Sequence, residues 1–574
     1  MRRRRVFIMM CTFLVIYLLL SVKIAYYQVV RGYEIAQQAA AMRSKQIELK
    51  ECQRGEILDR NLLPLTSTST SAAVYCLPQE IGNDYPGETS ARQSFNKVAD
   101  FLARVLLDEE KGDDKSKEKI LACLNEAARL SRPFVRIASD LTEQQIQEIN
   151  ASNLSGIVVA PVIKRYREDG FCSHLLGYVG GNEGKAGLEK EYDEILKYSS
   201  SSPELTSVLD ARGAVIQGLM FKVKKEEEKQ KGAVVLTIDK RIQEIVENAM
   251  SSRVGKGAAV VMDVRSKEVL AMASRPTFNP YRVKEIVEND EKSTLSNRAL
   301  SRYHPGSLFK ILVAAAALEE DAVAVDDCFN CTGVYKFNDE VSISCWKEEG
   351  HGQINFVEAF ALSCNSSFIE VGLKLGRDKL LEYAGKFHIT DEKVIGYDDY
   401  NAGTYVKINP GEPALGNACL GQQGVMLTPL QVASLVATIA DDGRWGPPSL
   451  VRYTIDREGK KNILPESSKK QVISKKTAED VKRLMEAVVS EGTGKSAALS
   501  EVKVAGKTGT SQTGILDENG KEILNTWFAG YFPADNPRWA IVVLVEEGKS
   551  GAEDAAPVFK EIAKEMLKYF SVTP

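Results

Sequence analysis

An uncharged segment close to the amino terminus constrains this chain most, because it is long enough to cross a membrane. Arginines occupy positions 2–5, and the following residues 6–22 carry no charge. At about 1.5 Å per residue this run spans about 25 Å, and the apolar turn that ends at Val30 completes a bilayer core of about 30 Å. The amine of Lys23 can extend along the helix toward the membrane surface. We therefore predict one transmembrane anchor over residues 6–30.

The charges that flank this segment predict its orientation. The arginines on its amino side outnumber Lys23 and Arg31 on the other side. The positive-inside rule therefore places residues 1–5 in the cytoplasm and the rest of the chain outside it. A cleaved secretory signal is the alternative, with the alanines at 39–41 as its small-residue site. Those alanines lie well beyond the apolar run in a polar stretch, which favours an uncleaved anchor.

Composition excludes several classes of protein. The 574 residues carry 74 basic and 78 acidic side chains, with a net charge of −4 and a pI near 5.9, so no nucleic-acid surface is expected. Only four histidines are present, which argues against a Ser-His-Asp hydrolase or a site with several histidine ligands. The ten cysteines show no paired metal-ligand spacing, since Cys328-Phe-Asn-Cys331 stands alone. We therefore expect no metal, no cofactor and no disulfide scaffold.

Beyond the anchor, the pattern of apolar residues divides the chain in two. Residues 35–230 mix strand-like runs with amphipathic helices, while residues 235–574 show a denser pattern. In the second part, two apolar runs joined by a polar turn predict a β-hairpin. The elements of this part are a hairpin over 258–273, helices over 241–250, 308–319 and 557–570, and strands over 526–532 and 539–545. They indicate an α/β domain with an antiparallel sheet covered by helices.

A serine and a lysine open the helix predicted over residues 308–319. Ser307-Leu-Phe-Lys310 follows His304-Pro-Gly, and a spacing of three residues puts the hydroxyl and the amine on the same helix face. A serine is a weak nucleophile until a base takes its proton, and burial can lower the pKa of a lysine enough for that task. Taken alone, the pattern also fits an ordinary helix start with an exposed lysine.

Two further motifs carry polar groups suited to the same site. Ser363-Cys-Asn365 would turn the serine hydroxyl and the asparagine amide to one side if the segment is extended. Lys507-Thr-Gly-Thr510 follows a strand-like run, and a cationic strand with hydroxyl groups suits a substrate carboxylate. Each motif alone also fits a simpler structure, either a polar loop before a helix or an edge strand whose lysine opposes aggregation.

In this order, Ser-x-x-Lys, Ser-x-Asn and Lys-Thr-Gly resemble the motif set of the penicillin-binding proteins. Further similarities to their catalytic domain are Arg275-Pro-Thr-Phe-Asn-Pro280, Asn297-Arg-Ala-Leu300, Gly424-Val-Met-Leu-Thr-Pro-Leu-Gln431, Glu491-Gly-Thr-Gly494 and Trp527-Phe-Ala-Gly-Tyr-Phe532. Two motifs are similar to the pedestal of the class B members, Arg54-Gly-Glu-Ile-Leu-Asp-Arg-Asn61 and Gly187-Leu-Glu-Lys-Glu-Tyr192. The resemblance implies a transpeptidase domain with a five-stranded antiparallel sheet over residues 235–574. It places this domain on an extended α+β pedestal, or dimerisation domain, over residues 35–230. It also implies a monofunctional D,D-transpeptidase that crosslinks peptidoglycan stem peptides.

The same resemblance assigns roles to the catalytic side chains. Ser307 would attack the D-Ala-D-Ala carbonyl and form an acyl-enzyme, with Lys310 as its base. Ser363 would relay the proton to the leaving amine. Asn365 would hold the substrate amide, and Lys507 would supply positive potential.

The strand motif would bind the terminal carboxylate of the substrate. The resemblance implies Thr508, Gly509 and Thr510 as substrate-binding residues. It also implies an oxyanion hole formed by the backbone N–H groups of Ser307 and Thr510.

Cys364 lies between the serine and the asparagine of the second motif. In an oxidising compartment such a thiol can be captured by another cysteine, and Cys345 is the first candidate partner, followed by Cys328 and Cys331. We hypothesise a redox-sensitive Cys345–Cys364 disulfide that distorts the cleft. The alternative is a reduced, buried cysteine that acts as a small apolar side chain.

Partners and biological role are also implied by the resemblance. The substrates would be peptidoglycan stem peptides on lipid-linked nascent strands, and β-lactams would acylate the serine. A SEDS-type glycosyltransferase and a thiol-disulfide oxidoreductase are candidate partners. The chain resembles the sporulation-type and elongation-type members of Gram-positive endospore formers, so spore cortex synthesis is the first expectation and elongation or division the alternative. From other classes, a β-lactamase, a β-lactam sensor and a non-catalytic divisome scaffold remain alternatives.

Overall fold

The structure of the chain, a computed structural model, describes most of the sequence. It describes residues 2–32, 35, 54–82, 88–106, 114–132, 134–152, 154, 156–181, 183–197, 204–206, 222–224, 232–288, 293–398, 406–465 and 468–572. The chain divides into two compact units. The first comprises Met1–Gln53, Ser69–Lys164 and Ser200–Lys229, and the second comprises Arg54–Thr68, Arg165–Ser199 and Gln230–Pro574.

The amino-terminal helix of the first unit matches the predicted anchor. Arg2–Ala25 is α-helical, and Tyr26–Val30 continues it as a π-helical turn. Its large apolar side chains are exposed, and none of the residues between Arg5 and Lys23 is charged. A helix that is apolar on every face and unburied within the protein is suited to lipid. By length and composition this helix can cross a membrane.

The rest of the first unit is an α+β fold with a small core. The strand Ser69–Cys76 pairs antiparallel with Val135–Ser139 and with Ile157–Lys164. Val74 of this strand and Leu102 of a covering helix belong to one buried cluster. The helices of this part are Pro78–Gly82, Glu88–Leu106, Asp114–Arg129 and Glu143–Ala151.

A short hairpin also belongs to the first unit. Glu204–Thr206 pairs antiparallel with Lys222–Lys224. The neighbouring residues 207–221 and 225–231, like the alanines at 39–41, lie outside the described residues.

A five-stranded antiparallel sheet forms the centre of the second unit. We label its strands β1 (Gly257–Asp263), β2 (Val269–Arg275), β3 (Ala505–Leu516), β4 (Glu522–Phe532) and β5 (Trp539–Gly548). Their spatial order is β2-β1-β5-β4-β3, and each neighbouring pair is antiparallel. The predicted antiparallel sheet is therefore confirmed. The Lys-Thr-Gly motif lies on β3, at one edge of the sheet.

Helices cover both faces of this sheet, because alternate side chains of its strands enter two different clusters. Val260 of β1 joins the larger cluster, and Val261 joins the smaller one. Strands buried on both faces carry continuous apolar runs, as β1 does over 258–262 and β2 over 269–273. The smaller cluster includes residues of the helices Lys240–Ser251 and Ala556–Val572. The larger cluster includes residues of the helices Lys310–Glu319, Phe356–Ala361, Asn365–Leu375, Arg377–Lys386, Glu412–Cys419, Pro429–Ala440 and Lys475–Ser490.

Short elements complete the second unit. Further helices and helical turns are Ser173–Leu176, Gly187–Glu191, Asp193–Leu196, Val283–Glu288, Gly306–Phe309, Lys495–Ala497 and Gly551–Ala555. Small sheets are formed by Glu56–Leu58, Ala233–Leu236, Val451–Ile455 and Lys461–Ile463 together, and by the pairs Cys328–Cys331 with Gly352–Asn355, Val334–Lys336 with Ser342–Ser344, Arg444–Trp445 with Lys470–Gln471, and Val179–Gly180 with Glu183–Gly184.

The helix Lys310–Glu319 is buried over nearly its whole length. Every residue from Lys310 to Leu318 is buried, as expected for a helix that is apolar on all faces. The 3₁₀ turn Gly306–Phe309 leads directly into it. A lysine in the first turn of such a helix has its amine surrounded by protein instead of water.

Candidate active site

The turn that carries Ser307 packs directly against β3. Gly306 has a φ of +55°, in the left-handed region that favours glycine. A Cβ added at Gly306 would lie 2.6 Å from the carbonyl oxygen of Thr510, and one added at Gly509 would lie 2.8 Å from the carbonyl oxygen of Pro305. These two glycines therefore let the backbones approach closely. They bring the half-buried Ser307 beside the Lys-Thr-Gly motif.

The amine of Lys310 joins the first motif to the second. Its Nζ donates to the carbonyl oxygen of Ser363 at 2.8 Å and to Oδ1 of Asn365 at 2.8 Å, and the Oγ of Ser363 lies at 3.4 Å. Burial lowers the pKa of Lys310 to about 8, because the ammonium loses hydration that these oxygens replace only in part. A lysine with this pKa can release its proton near physiological pH.

Ser363 departs from the extended conformation that the sequence predicts. Its φ is +56°, and the helix Asn365–Leu375 begins directly after Cys364. The segment is a turn that follows the helix Phe356–Ala361. The serine and asparagine nevertheless meet at one point, because both contact the amine of Lys310. A left-handed residue other than glycine costs about 1–3 kcal/mol and persists only where its surroundings hold it.

Lys507 is the second buried amine of the site. Its side chain is fully buried, and its Nζ donates to the carbonyl oxygen of Thr508 at 3.2 Å. Burial first, and then the charge of Lys310, lower the pKa of Lys507. Two ammonium groups in one water-poor site repel each other, so protonating either one disfavours protonating the other.

Hydroxyl groups of the strand motif have partners within the protein. The Oγ1 atoms of Thr508 and Thr493 lie 2.6 Å apart, and the backbone N–H of Gly551 donates to Oγ1 of Thr510 at 3.4 Å. These contacts fix the orientation of both hydroxyls. The arrangement as a whole places a serine hydroxyl beside a strand and a buried amine in contact with two polar residues, and such groups can carry out acyl transfer.

Cys345 and Cys364, the predicted redox pair, are both buried free thiols. A hydrogen bond from the Cys364 thiol lowers the pKa of Cys345, and the same bond raises the pKa of Cys364. The backbone N–H of Asn365 also donates to Sγ of Cys345 at 3.4 Å. The disulfide between them stays a prediction.

Two further residues lie beside this pair: Cys331, a reserve candidate for the disulfide, and His351, to which the sequence analysis assigns no role. Donor atoms of Cys331 and His351 lie within 4.8 Å of one another and of the sulfurs of Cys345 and Cys364. Cys328, the other cysteine of the C-x-x-C motif, is exposed. A clustering signal does exist in the sequence, since residues 331–364 contain three of the ten cysteines and one of the four histidines.

Two protein families match the chain. The penicillin-binding protein transpeptidase domain matches residues 257–564, and the penicillin-binding protein dimerisation domain matches residues 49–237. The chain is 30% identical to stage V sporulation protein D of Bacillus subtilis (strain 168), over 100% of this chain and 86% of that protein. The chain belongs to the class B penicillin-binding proteins. Membership of this family confirms the resemblance predicted from the three motifs.

Other class B relatives and a solved structure agree with this membership. The chain is 26% identical to penicillin-binding protein PbpB of Mycobacterium tuberculosis, over 96% of this chain and 82% of that one. It is 25% identical to peptidoglycan D,D-transpeptidase FtsI of Escherichia coli K12, over 93% and 86%. The crystal structure of the D,D-transpeptidase domain of a peptidoglycan glycosyltransferase from Eggerthella lenta is 28% identical, with a TM-score of 0.59, and the match covers 73% of this chain and 94% of that one. This penicillin-binding protein is a D-Ala-D-Ala transpeptidase, as predicted, with peptidoglycan as its substrate class and β-lactams as its ligands.

Proposed function

We propose that this penicillin-binding protein crosslinks peptidoglycan stem peptides through an acyl-enzyme at Ser307. One observation carries the proposal: the turn of Ser307 lies against Thr510 of β3, while the amine of the adjacent Lys310 contacts Ser363 and Asn365. Three sequence motifs far apart in the chain thus converge on one water-poor site.

In the proposed reaction, the Oγ of Ser307 attacks the carbonyl carbon of the penultimate D-Ala. Neutral Lys310 accepts the hydroxyl proton, a bond forms between Oγ and carbon, and the peptide C–N bond breaks. The proton passes through Ser363 to the leaving D-Ala amine. An amine of a second stem peptide then attacks the ester and releases Ser307, which regains a proton from the same relay. A positioned base of this kind contributes about 10²–10⁴-fold to the rate.

Substrate binding is assigned to the second and third motifs. Asn365 would hold the substrate amide, and Thr508, Gly509 and Thr510 would line the terminal carboxylate. That carboxylate would favour the charged form of Lys507, which burial opposes in the free enzyme. Backbone N–H groups of Ser307 and Thr510 would stabilise the oxyanion, at about 3 kcal/mol for each donor.

The proposed arrangement across the membrane follows the flanking charges. Residues 1–5 would lie in the cytoplasm, residues 6–30 would form the anchor, and the pedestal over 35–230 and the transpeptidase domain over 235–574 would lie outside. The excess of arginine before the apolar helix supports this orientation.

We assign the enzyme to spore cortex synthesis, with elongation or division as the alternative. The relative named stage V sporulation protein D supports this assignment. A SEDS-type glycosyltransferase is the proposed source of nascent strands.

The buried thiols of Cys345 and Cys364 would form a disulfide under oxidising conditions, and a thiol-disulfide oxidoreductase would reduce it. Mass spectrometry after alkylation without reductant tests this pairing: complete labelling of both thiols in oxidised, active enzyme would contradict it.

Labelling of the full chain with a fluorescent penicillin tests the proposed function. We expect a long-lived adduct in the wild-type enzyme and none in Ser307→Ala, because the alanine has no hydroxyl to acylate. Ser301→Ala is the matched control, since Ser301 is a half-buried serine whose hydroxyl donates to the carbonyl oxygen of Asn297. Rapid loss of the wild-type label would indicate a β-lactamase. A wild-type chain that never labels, with or without reductant, would indicate a scaffold.

The rate of penicillin labelling should rise with pH. Burial lowers the pKa of Lys310 to about 8, and only the neutral amine can accept the proton of Ser307. The reactive fraction is therefore small below this pKa, increases as the pH passes through it and levels off above it. Labelling rates measured from neutral to alkaline pH would check this. A rate that falls over this range would exclude Lys310 as the base.

A further inference from the structure

Four metal-binding side chains meet behind the second motif of the active site. Cys331, Cys345, His351 and Cys364 each offer one donor atom, and these four atoms all lie within 4.8 Å of one another. The three cysteines are 1, 3 and 0% exposed in chain order. This cluster, which we call the thiol-histidine cluster, takes no part in the proposed acyl transfer.

The local fold holds the ligands in place. In the strand Cys328–Cys331, alternate residues are exposed and buried, so Cys331 points inward while Cys328 points to solvent. Cys331 pairs with Gly352 of the neighbouring strand, which puts His351 beside it. A Cβ added at Gly350 would lie 2.2 Å from the carbonyl oxygen of Cys331. The close backbone approach at this glycine tightens the turn around the cluster.

The donor set fits a tetrahedral zinc ion. Zinc sites with three thiolates and one imidazole are a common structural type, and bonds of about 2.0–2.3 Å put their donors about 3.5–3.8 Å apart. Sγ of Cys345 lies 3.6 Å from Nδ1 of His351. The other distances between donor atoms are at most 4.8 Å, so the cluster needs to contract by no more than about 1 Å to reach these zinc distances. Soft thiolate ligands also favour Zn²⁺ over Mg²⁺ or Ca²⁺.

Polar groups around the cluster resemble the outer shell of a metal-thiolate site. The backbone N–H of Asn365 donates to Sγ of Cys345 at 3.4 Å, and the hydroxyl of Ser367 donates to Sγ of Cys364 at 3.2 Å. Such donors orient thiolate ligands and balance their charge. The imidazole differs from these sulfurs, because Nε2 of His351 is buried and has no hydrogen-bond partner among the described residues.

We propose that Cys331, Cys345, His351 and Cys364 bind one Zn²⁺ ion, which fixes the Ser-x-Asn motif in its active geometry. Cys364 lies between Ser363 and Asn365, and both of these contact the amine of Lys310. Because Cys364 directly follows Ser363, a bond from Cys364 to the ion holds Ser363 in its left-handed backbone conformation. The ion therefore positions catalytic groups and does not contact the substrate.

Metal binding and the hypothesised disulfide exclude each other. The disulfide would use the sulfurs of Cys345 and Cys364, which are two of the four ligands. Bound zinc would keep both thiols reduced, and oxidation of the pair would release the ion. The inference on zinc does not depend on the acyl transfer at Ser307, since metal content and thiol labelling are measured without substrate.

Metal analysis of the full chain tests the site. We expect about one zinc per chain after purification in detergent with reductant and without chelator. Cys331→Ser should lose this zinc. Cys328→Ser is the matched control, because it removes an exposed thiol from the same strand and should retain the ion. Equal zinc content in both variants, or equal loss from both, would overturn the assignment.

Measurements on the wild-type chain keep the proposal testable if Cys331→Ser does not fold. Thiol alkylation should reach Cys331, Cys345 and Cys364 only after chelation, while Cys328 is labelled in either case. Cobalt added to the chelated chain should give the visible absorption of tetrahedral cobalt-thiolate coordination. A chelated chain that takes up neither zinc nor cobalt would overturn the proposal, as would alkylation rates that zinc does not change.

Penicillin labelling distinguishes an ion that positions the catalytic groups from an ion that only stabilises the fold. Chelation should slow labelling by about 10- to 100-fold, as expected when catalytic groups shift by a fraction of an ångström to one ångström. Adding zinc back should restore the rate. Chelated enzyme that labels at the wild-type rate would overturn the positioning role. Ser307→Ala should keep its zinc and lose the adduct, so failure of the proposed function and failure of the zinc site are distinguishable.

Discussion

Replacing Lys310 by methionine should lower the rate of penicillin labelling by about 10²–10⁴-fold, the usual contribution of a positioned general base. Methionine has nearly the volume of lysine and is apolar, so it can occupy this buried position in the helix Lys310–Glu319. The variant keeps the nucleophile Ser307 but has no amine to accept its proton. Stopped-flow or gel-based labelling of the full chain, measured per folded molecule, would check the expected loss.

Lys267→Met is the matched control for this variant. Lys267 is also a fully buried lysine whose pKa burial lowers to about 8. Its Nζ donates to carbonyl oxygens of Val264 and Ala437 at 2.6 and 2.9 Å and pairs with Asp441 at 3.3 Å. Asp441 keeps Arg444 and Lys469 as cationic partners in the variant, but the two buried carbonyl oxygens lose their donor, which costs about 1–3 kcal/mol of stability. For Lys267→Met we therefore expect a lower melting temperature and unchanged labelling of the folded fraction. If Lys310→Met labels at nearly the wild-type rate, the amine of Lys310 is not the base.

The sheet and its covering helices could be predicted because their signals are local. The hairpin of β1 and β2 is encoded by two apolar runs around one polar turn, and the predicted range 258–273 agrees with the observed strands to within two residues. The helix Ala556–Val572 likewise agrees with the predicted range 557–570 to within two residues. Continuous apolar runs indicate burial on both faces, and the two clusters on either side of the sheet bear this out.

The conformation of the second motif could not be predicted in the same way. An alternating pattern suggests an extended segment, but Ser363 adopts a left-handed φ of +56°. Its carbonyl oxygen and the side chain of Asn365 accept hydrogen bonds from Lys310, which is more than fifty residues away in the sequence. A conformation held by distant contacts has no signature in the local pattern.

The thiol-histidine cluster shows the same limit for a binding site. The C-x-x-C spacing of Cys328 and Cys331 suggests that the two cysteines act together, yet strand alternation exposes one and buries the other. The partners of Cys331 come from a loop, a turn and the start of a helix. Spacing rules that identify zinc sites in compact motifs therefore do not detect this one.

Gly306→Ala should lower penicillin labelling by about 10²-fold, the loss expected when a nucleophile is displaced by about an ångström. The added Cβ would lie 2.6 Å from the carbonyl oxygen of Thr510 and 3.0 Å from its carbonyl carbon, both of which are backbone atoms that cannot rotate away. Relief requires the turn of Ser307 to move off β3. That movement would separate the serine from the backbone N–H of Thr510, one of the two proposed oxyanion donors.

Gly376→Ala distinguishes this displacement from simple backbone strain. Gly376 has a φ of +86°, and a Cβ added there meets no heavy atom within 4 Å. Both variants force alanine to a positive φ that favours glycine, at about 1–3 kcal/mol each, but only Gly306→Ala also creates a backbone collision. Gly376→Ala should therefore lose stability and keep its labelling rate. Equal labelling by the two variants would mean that the close approach of Gly306 to Thr510 serves stability alone, and the oxyanion role assigned to Thr510 would lose its structural support.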